Sequence, residues 1–469
     1  VNGGPVGSGS DTAEGVNTAG GANTAGGAPV RYVADAVVPC DRPGAVFRPG
    51  VVEVAGDTVT HVGRSGSTHQ DGSLRELDEV RVHGCLLPGM VNVHCHSPMT
   101  LFRGSGENLP LHRWLTEVLW PQEAHLTEED VYWGMTLAAA ELLCFGVTTT
   151  CEVYFFEDAL ADAVIDAGSR AVVAPGVLQL PGQSRAEEWW VAQTERIADF
   201  HRRRHGDGGR IDAGFGPHAP YTVPLDGLVH VAAAARELDA LFTIHLAETE
   251  DECRRFADAH GDSAPAVLAD AGVFDGRVLA AHSVWLSDED IDTYRQFDVA
   301  VAHCPQSNAK LASGVAPLVP LRDAGIRVGL GTDGPASNND LDLWEEVRLA
   351  AMLARIRQHD AAALPAAAAL DLATRAGGAA LGRPDLGVLA PGSRADMVAV
   401  RLDDPAFVPL LEDGQMIEHL VWSASSRLVT DVWVAGTAVV ADRRCLTVDV
   451  ERASHEVGER ALRLRQSEG

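Results

Sequence analysis

Between residues 88 and 335 the chain alternates short apolar runs with longer stretches rich in alanine and leucine. The runs are GMVNVHCH, GVTTTCEVYFF, RAVVAPGVL, IDAGFGPHAPY, LFTIHLAET, RVLAAHSVWL, VAVAHCPQSN and IRVGLGTDG. Each has strand length, and the stretches between them have helix length. Strand–helix alternation implies a parallel sheet, and eight units over roughly 300 residues predict an α/β fold of the (β/α)8 TIM-barrel class, assigned to residues 88–388.

The flanks follow a different pattern. Residues 30–87 contain short alternating strands and turns, in ADAVVPC, VVEVAGDTVTHVG and VRVHGCLLPG. A matching set returns in residues 389–445, around ADMVAVRLDD and VTDVWVAGTAVVADRR. The two pieces are expected to join as a small composite β-sandwich domain built from both chain ends. Residues 446–469 read as an exposed, charged helix. Residues 1–29 are mostly Gly, Ala, Thr, Asn and Ser, with the near-duplicate NTAGGANTAGGA. Such a segment buries too little apolar surface to offset its ordering entropy, so a disordered tail is expected.

Composition narrows the function classes. The chain has 469 residues, enough for one large catalytic domain and a smaller one. A formal charge of −29 with no basic stripe argues against a nucleic-acid partner. No apolar run reaches the ~18 residues of a membrane span, and no basic-then-apolar leader is visible, so a cytoplasmic protein without membrane partners is expected. Eight cysteines occur without a CxxC pair and read as free, packed thiols. Lysine occurs once, at Lys310.

The polar residues then fall in one kind of place. The first run ends in His94 and His96, and later runs end in His218, His245, His282, His303 and Asp333. Carboxyl ends of parallel barrel strands converge on one face, so these residues are expected to meet. His94 and His96 alternate on a strand and so share a face. Imidazoles with a carboxylate suit zinc or iron, with His94, His96, His245 and Asp333 as the expected ligands. Such an ion lowers the pKa of a bound water and supplies hydroxide near neutral pH. Cys95, between the two histidines, alternates away from the ion. HRRRH at 201–205 reads as a surface-helix cluster. GTDGPASNN lacks the strand–helix context of a dinucleotide loop.

By PGMVNVHCH and GTDG the chain resembles the amidohydrolase superfamily. MTLFRG, WPQEAHLTEEDVYWG, GFGPHAPYT, IHLAETEDE, AHSVWL, HCPQSNAKLASGVAPL and GTDGPASNNDLDLWEEVRLAAML narrow the resemblance. They are similar to the branch of S-adenosylhomocysteine/5′-methylthioadenosine deaminases and triazine hydrolases, over roughly residues 30–440.

The resemblance implies a barrel with a composite β-sandwich and the same four metal ligands. It implies that Glu248 passes a proton to the substrate's ring nitrogen, that His282 orients the attacking water, and that His218 contacts the substrate. Asp333 would take the water proton, so that two carboxylates divide the acid and base roles. Glu123 matches the residue that takes ribose hydroxyls. His303 would support a loop or touch the substrate. Trp114 and Trp120 would border the pocket or pack in the core.

Binuclear relatives bridge two ions with a fourth-strand lysine. Lys310 follows the seventh strand, so one divalent metal per subunit is implied, zinc before iron. The third-strand arginine of the resembling deaminases is replaced by Pro175, with Arg185 nearby as a substitute. The implied reaction converts an adenine nucleoside (adenosine, 5′-deoxyadenosine, 5′-methylthioadenosine or S-adenosylhomocysteine) to its inosine analogue and ammonia, in a homo-oligomer, dimer or tetramer. The alternative is a triazine or other N-heterocycle hydrolase, or a free-base deaminase.

Overall fold

The computed structural model describes residues 28–66, 77–180 and 188–466; most of the expected tail, and Arg185, lie outside the described residues. Four strands open the chain: β1 (Val30–Val37), β2 (Gly50–Ala55), β3 (Thr58–Arg64) and β4 (Asp78–Pro88). Four close it: β15 (Met397–Val400), β16 (Val429–Val434), β17 (Thr437–Ala441) and β18 (Arg444–Cys445). They form one eight-stranded sheet in the order β18-β17-β16-β15-β4-β1-β2-β3. The two chain ends meet where β4 pairs antiparallel with β15, Pro88 opposite Met397. Trp433 and Tyr32 are fully buried in this layer with their rings 5.3 Å apart, edge to face.

Between these pieces every expected apolar run forms a strand. The first four are β5 (Met90–Cys95), β6 (Val147–Glu152), β7 (Arg170–Val173, extended by the two-residue β8, Gly176–Val177) and β9 (Ile211–Ala213, extended by β10, Gly216–Pro217). The second four are β11 (Leu241–Leu246), β12 (Arg277–His282), β13 (Ala300–His303) and β14 (Val328–Leu330). Each set is a four-stranded parallel sheet. Parallel bridges join the sets at both seams, Phe215 to Phe242 and Cys95 to Asp333, which puts the eight strands in one cyclic order. All six residues of β5, β6 and β11 are buried, as strands covered on both faces must be.

The turn from β4 into β5 admits only glycine. A Cβ at Gly89 would lie 2.1 Å from the Thr148 hydroxyl on β6. Three of the helices start on strong caps. Thr127, Thr249 and Ser287 each form a capping box that opens Glu128–Cys144, Glu250–His260 and Asp288–Gln296.

The C-terminal helix, Val450–Gln466, differs from its expected exposure. Ala453, Val457 and Leu464 are buried, and the helix packs on Glu128–Cys144. Arg460 bonds Glu129 at 2.6 Å, and Arg463 pairs with the buried Asp130. No helix among the described residues is long and apolar enough to cross a membrane. The eight cysteines are free.

Candidate metal centre and active site

The carboxyl ends of β5, β11, β12 and β14 bring four histidines and an aspartate together. His96 Nε2 lies 3.2 Å from His245 Nε2 and 3.2 Å from Asp333 Oδ1. His94 Nε2 lies 3.6 Å from the same carboxylate oxygen. Ligand atoms of His94, His96 and Asp333 fall within 4.8 Å of one another, as do those of His94, His245 and His282. The backbone is forced to make this cluster. His282 and Asp333 hold φ of 69° and 58°, left-handed values that cost a non-glycine residue about 1–3 kcal/mol. The Asp333 N–H is anchored on the His94 carbonyl at 3.1 Å.

The second ring nitrogens decide what the first can do. His96 Nδ1–H donates to the Val153 carbonyl at 2.5 Å, and His245 Nδ1–H donates to the His218 carbonyl at 2.6 Å. Each bond fixes the tautomer and leaves Nε2 with a lone pair facing the cluster. Neither ring nitrogen of the buried His94 has a hydrogen-bond partner among the described residues. Burial lowers the His94 pKa to about 4 and takes His245 well below its ordinary value, so both are neutral donors at neutral pH. For Asp333, burial works against ionisation, but the His94 and His96 imidazoles beside Oδ1, at 3.6 and 3.2 Å, outweigh it and hold the carboxyl well below its usual range. A tetrahedral ion with bonds of about 2.0–2.1 Å separates its ligands by about 3.3 Å. The donor spacings of 3.2–3.6 Å fit that geometry, so the cluster suits a divalent metal.

A second layer holds these groups. Ser307 and Ser337 both donate to Asp333 Oδ2 at 2.7 Å, which leaves Oδ1 to the histidines. His282 Nδ1–H donates to Asn308 Oδ1 at 2.9 Å, and its Nε2 stands 3.8 Å from Glu248 Oε2. Ser313 donates to Glu248 Oε1 at 3.4 Å. Asn92 clasps Thr332 from β5, through its side-chain amide at 2.7 Å and by accepting the Thr332 N–H at 3.2 Å. None of these supporting residues was singled out from the sequence. Ser307 and Asn308 lie in HCPQSN and Thr332 and Ser337 in GTDGPASNN, beside strand ends, whereas Asn92 lies within GMVNVHCH and Ser313 in the loop after Lys310.

With this geometry in place, similarity to known proteins settles the family. The amidohydrolase family signature matches residues 85–439. The chain belongs to the amidohydrolase family. It is 40% identical over 429 residues to a 5-methylthioadenosine/S-adenosylhomocysteine deaminase of Pelotomaculum thermopropionicum, covering 91% of this chain and 97% of that protein. It is 43% identical over 422 residues to a protein of the same name from Desulforudis audaxviator, covering 88% and 96%. Among solved structures it is similar to a zinc-bound adenosine deaminase from Xanthomonas campestris, with a TM-score of 0.86, 34% identity, and coverage of 93% of this chain and 98% of the other. A triazine hydrolase from Arthrobacter aurescens shares the fold, with a TM-score of 0.83 at 24% identity over 92% of this chain and 99% of the other.

The amidohydrolase cluster opens into a cavity at the carboxyl ends of the strands. His96, His245, His282, Asp333, Glu248, His218 and Glu123 all line it, as do Trp114 and Trp120. The rest of the wall is largely apolar, from Met99, Leu111, Leu115 and Leu119. A single π-helical turn, Leu115–Leu119, carries part of that wall.

Glu248 follows β11 and is fixed where the next helix begins. Its N–H donates to Glu252 of the capping box at 3.0 Å. Burial raises the Glu248 pKa, with His282 opposing and Asp333 adding to the rise. Burial pushes Glu123 up to about 7, against a 2.8 Å hydrogen bond from the Tyr154 hydroxyl. His218 is driven down to about 3, chiefly by burial, and its Nδ1 contacts Thr222 Oγ1 at 3.0 Å. His303 is buried at the end of β13 and is not among the residues lining the cavity. Cys95 turns from the ring cluster toward Ser97 and Thr332, with Sγ 3.1 and 3.5 Å from their hydroxyls.

Proposed function

We propose that this amidohydrolase is a metal-dependent aminohydrolase that converts an adenine nucleoside and water to the inosine analogue and ammonia. The observation that carries the reading is a pair of carboxyl groups pushed in opposite directions around one cavity. Asp333 is held ionised by the histidines beside it, and Glu248 is kept above its ordinary range by burial. That division suits a proton acceptor for the attacking water and a proton donor for the ring nitrogen. The names of the relatives at 40% and 43% identity agree with it.

In this reading His94, His96, His245 and Asp333 would hold one divalent metal ion, zinc by preference. When bound, the metal lowers the pKa of water and provides the nucleophile near neutral pH. His282, its tautomer set by Asn308, orients that water beside Glu248. Glu248 gives its proton to the purine ring nitrogen as oxygen adds at C6 and Asp333 takes the water proton; Asp333 then returns that proton to the C6 amine, the C6–N bond breaks, ammonia leaves, and the remaining hydroxyl proton restores Glu248. His218, neutral at working pH, steadies the purine, and Glu123 accepts from the ribose hydroxyls. The apolar wall keeps bulk water from the ring. The cyclic strand order supports a closed (β/α)8 barrel over residues 88–388; the terminal strands form one composite eight-stranded sheet where a two-sheet sandwich was expected.

The test is a screen of zinc-loaded protein with adenosine, 5′-deoxyadenosine, 5′-methylthioadenosine and S-adenosylhomocysteine. Ammonia release and the ultraviolet change from adenine to hypoxanthine are followed together. Turnover of at least one is expected. Absence of ammonia from all four, with metal bound, would overturn the reading.

A further inference from the structure

We propose that Tyr154 is a positioning residue that sets the Glu123 carboxylate to receive a vicinal diol, and so makes the site selective for ribosides over analogues lacking both hydroxyls. The inference rests on the nucleoside reading above and names a residue that reading does not use.

The observation is a two-residue turn that serves both ends of the site. Immediately after β6, the Val153 carbonyl holds His96 Nδ1 and the next residue, Tyr154, donates its hydroxyl to Glu123 Oε1 at 2.8 Å. One rigid segment therefore fixes a metal-side imidazole and the candidate ribose acceptor relative to each other. Glu123 itself lies on a different element, the short helix Trp120–Glu123, so it needs such a tie.

Glu123 and Tyr154 are both buried, 4% and 3% exposed, and both line the cavity. Glu123, Phe155, Gly176 and Leu178 also line an adjoining open cleft, so the Glu123 side chain stands at the junction of the two. Among the described residues no other group hydrogen-bonds this carboxylate. An ionised carboxylate has about four acceptor positions, and Tyr154 occupies one of them. The remaining capacity fits two adjacent hydroxyl donors. A purine base alone offers no such pair.

A buried tyrosine hydroxyl needs some partner, and a purely structural role would be met by any acceptor. Here the acceptor is a carboxylate on the cavity wall, which burial disfavours and the 2.8 Å Tyr154 hydrogen bond favours. Loss of the hydroxyl would leave Glu123 both less ionised and free to swing.

The test compares adenosine with 2′,3′-dideoxyadenosine on zinc-loaded wild type, Tyr154→Phe and Glu123→Gln. Wild type is expected to prefer adenosine. Tyr154→Phe should raise KM for adenosine about tenfold, as expected for one hydrogen bond to a charged group, with kcat little changed and the dideoxynucleoside unaffected. Adding Tyr154→Phe to Glu123→Gln should cost nothing further. Equal losses on both nucleosides, or an unchanged KM for adenosine, would overturn the proposal. Calorimetry with inosine and 2′,3′-dideoxyinosine on the same proteins reads the diol contact without turnover. If wild type turns over neither nucleoside but binds inosine more tightly in a Tyr154-dependent way, the deaminase reading fails and this inference stands. Binding without preference for the diol overturns the inference alone.

Discussion

The two ends of the parallel strands differ in how completely their buried polar groups are satisfied. At the carboxyl ends, neither ring nitrogen of His94 has a hydrogen-bond partner among the described residues, and His96 and His245 point lone pairs at each other across 3.2 Å. At the amino ends, arginines stand at or just before four strands, and each is bonded. Arg170 makes two hydrogen bonds to Asp396, at 3.1 and 3.2 Å. Arg210 donates to the Gly168 carbonyl, Arg277 to those of Asp239 and Leu381, and Arg327 to those of Ala379 and Asp298. One face leaves imidazole nitrogens free for a ligand; the other spends these four arginines on the fold. The same fold thus separates chemistry from stability by strand direction.

If that separation is real, the faces should fail differently. The largest effect is expected at the free donors. His245→Ala or Asp333→Ala should lower kcat/KM by at least ~10²-fold, because each removes a candidate metal donor and Asp333 is also the candidate base. Melting temperature should stay near that of wild type, and bound metal should fall in elemental analysis. A variant with wild-type turnover would remove its residue from the site.

Next comes the buried pair on the opposite face. Arg170 and Asp396 are 1% and 3% exposed, and they tie β7 to the terminal-strand sheet. Arg170→Met leaves Asp396 buried and unpaired, at a cost of about 3–5 kcal/mol. Denaturant unfolding should report the loss, while kcat of the folded fraction is kept. Replacing both partners, Arg170→Met with Asp396→Leu, should recover much of it. A large fall in kcat without a fall in stability would blur the two faces.

The strands and the histidine cluster were legible in the sequence for one reason. Apolar runs that end in His or Asp state both where a strand lies and which end is polar. The supporting atoms were not, because Ser307, Ser337, Asn308 and Ser313 act only after loops from β13 and β14 return to the cluster. His303 shows the limit of strand-end reasoning. It ends its strand like the others, yet it is not among the residues that line the cavity. The C-terminal helix shows another. Its buried stripe, Ala453, Val457 and Leu464, is sparse among charged residues, so the charge dominated the pattern. The arginines that open β7 and β12 stood in plain view, in RAVV and RVLAAH, but only pairing across the strand ends gives them meaning.

A third effect concerns proton uptake on the open face. Glu123 must be ionised to accept a diol, and burial places its pKa at about 7. The kcat/KM for a riboside should therefore rise about tenfold from about pH 6 to pH 8, and Glu123→Gln should flatten that limb. The same shift predicts a gain in stability. A carboxyl whose folded pKa exceeds its unfolded value costs stability once the pH rises above the unfolded value, 4.5. Glu123→Gln should then melt higher than wild type above about pH 7 while handling ribosides poorly. A lower melting temperature would mean that Glu123 serves the fold instead.

The smallest effect belongs to the closed face, and its pH dependence has the opposite sign. Asp385 accepts two hydrogen bonds from Arg383, each at 2.8 Å, and a third from Arg394 at 3.2 Å. Burial opposes its ionisation, but Arg383 and then Arg394 hold its pKa down at about 2. The folded value lies below the unfolded 3.8, so the contribution is complete above about pH 4 and is lost as pH falls toward 2. The side chain is 30% exposed and only about half-buried, so solvent screening reduces the gain to about 1 kcal/mol. Asp385→Asn should lose about that much in urea unfolding at neutral pH, and the gap from wild type should narrow as the solution is acidified below about pH 4. KM and kcat should not move, since Asp385 sits with Arg383 and Asp212 at the amino ends of the strands, away from the cavity. A gap that stayed constant with acidification would assign the loss to packing, and a shift in KM would show that the two faces communicate.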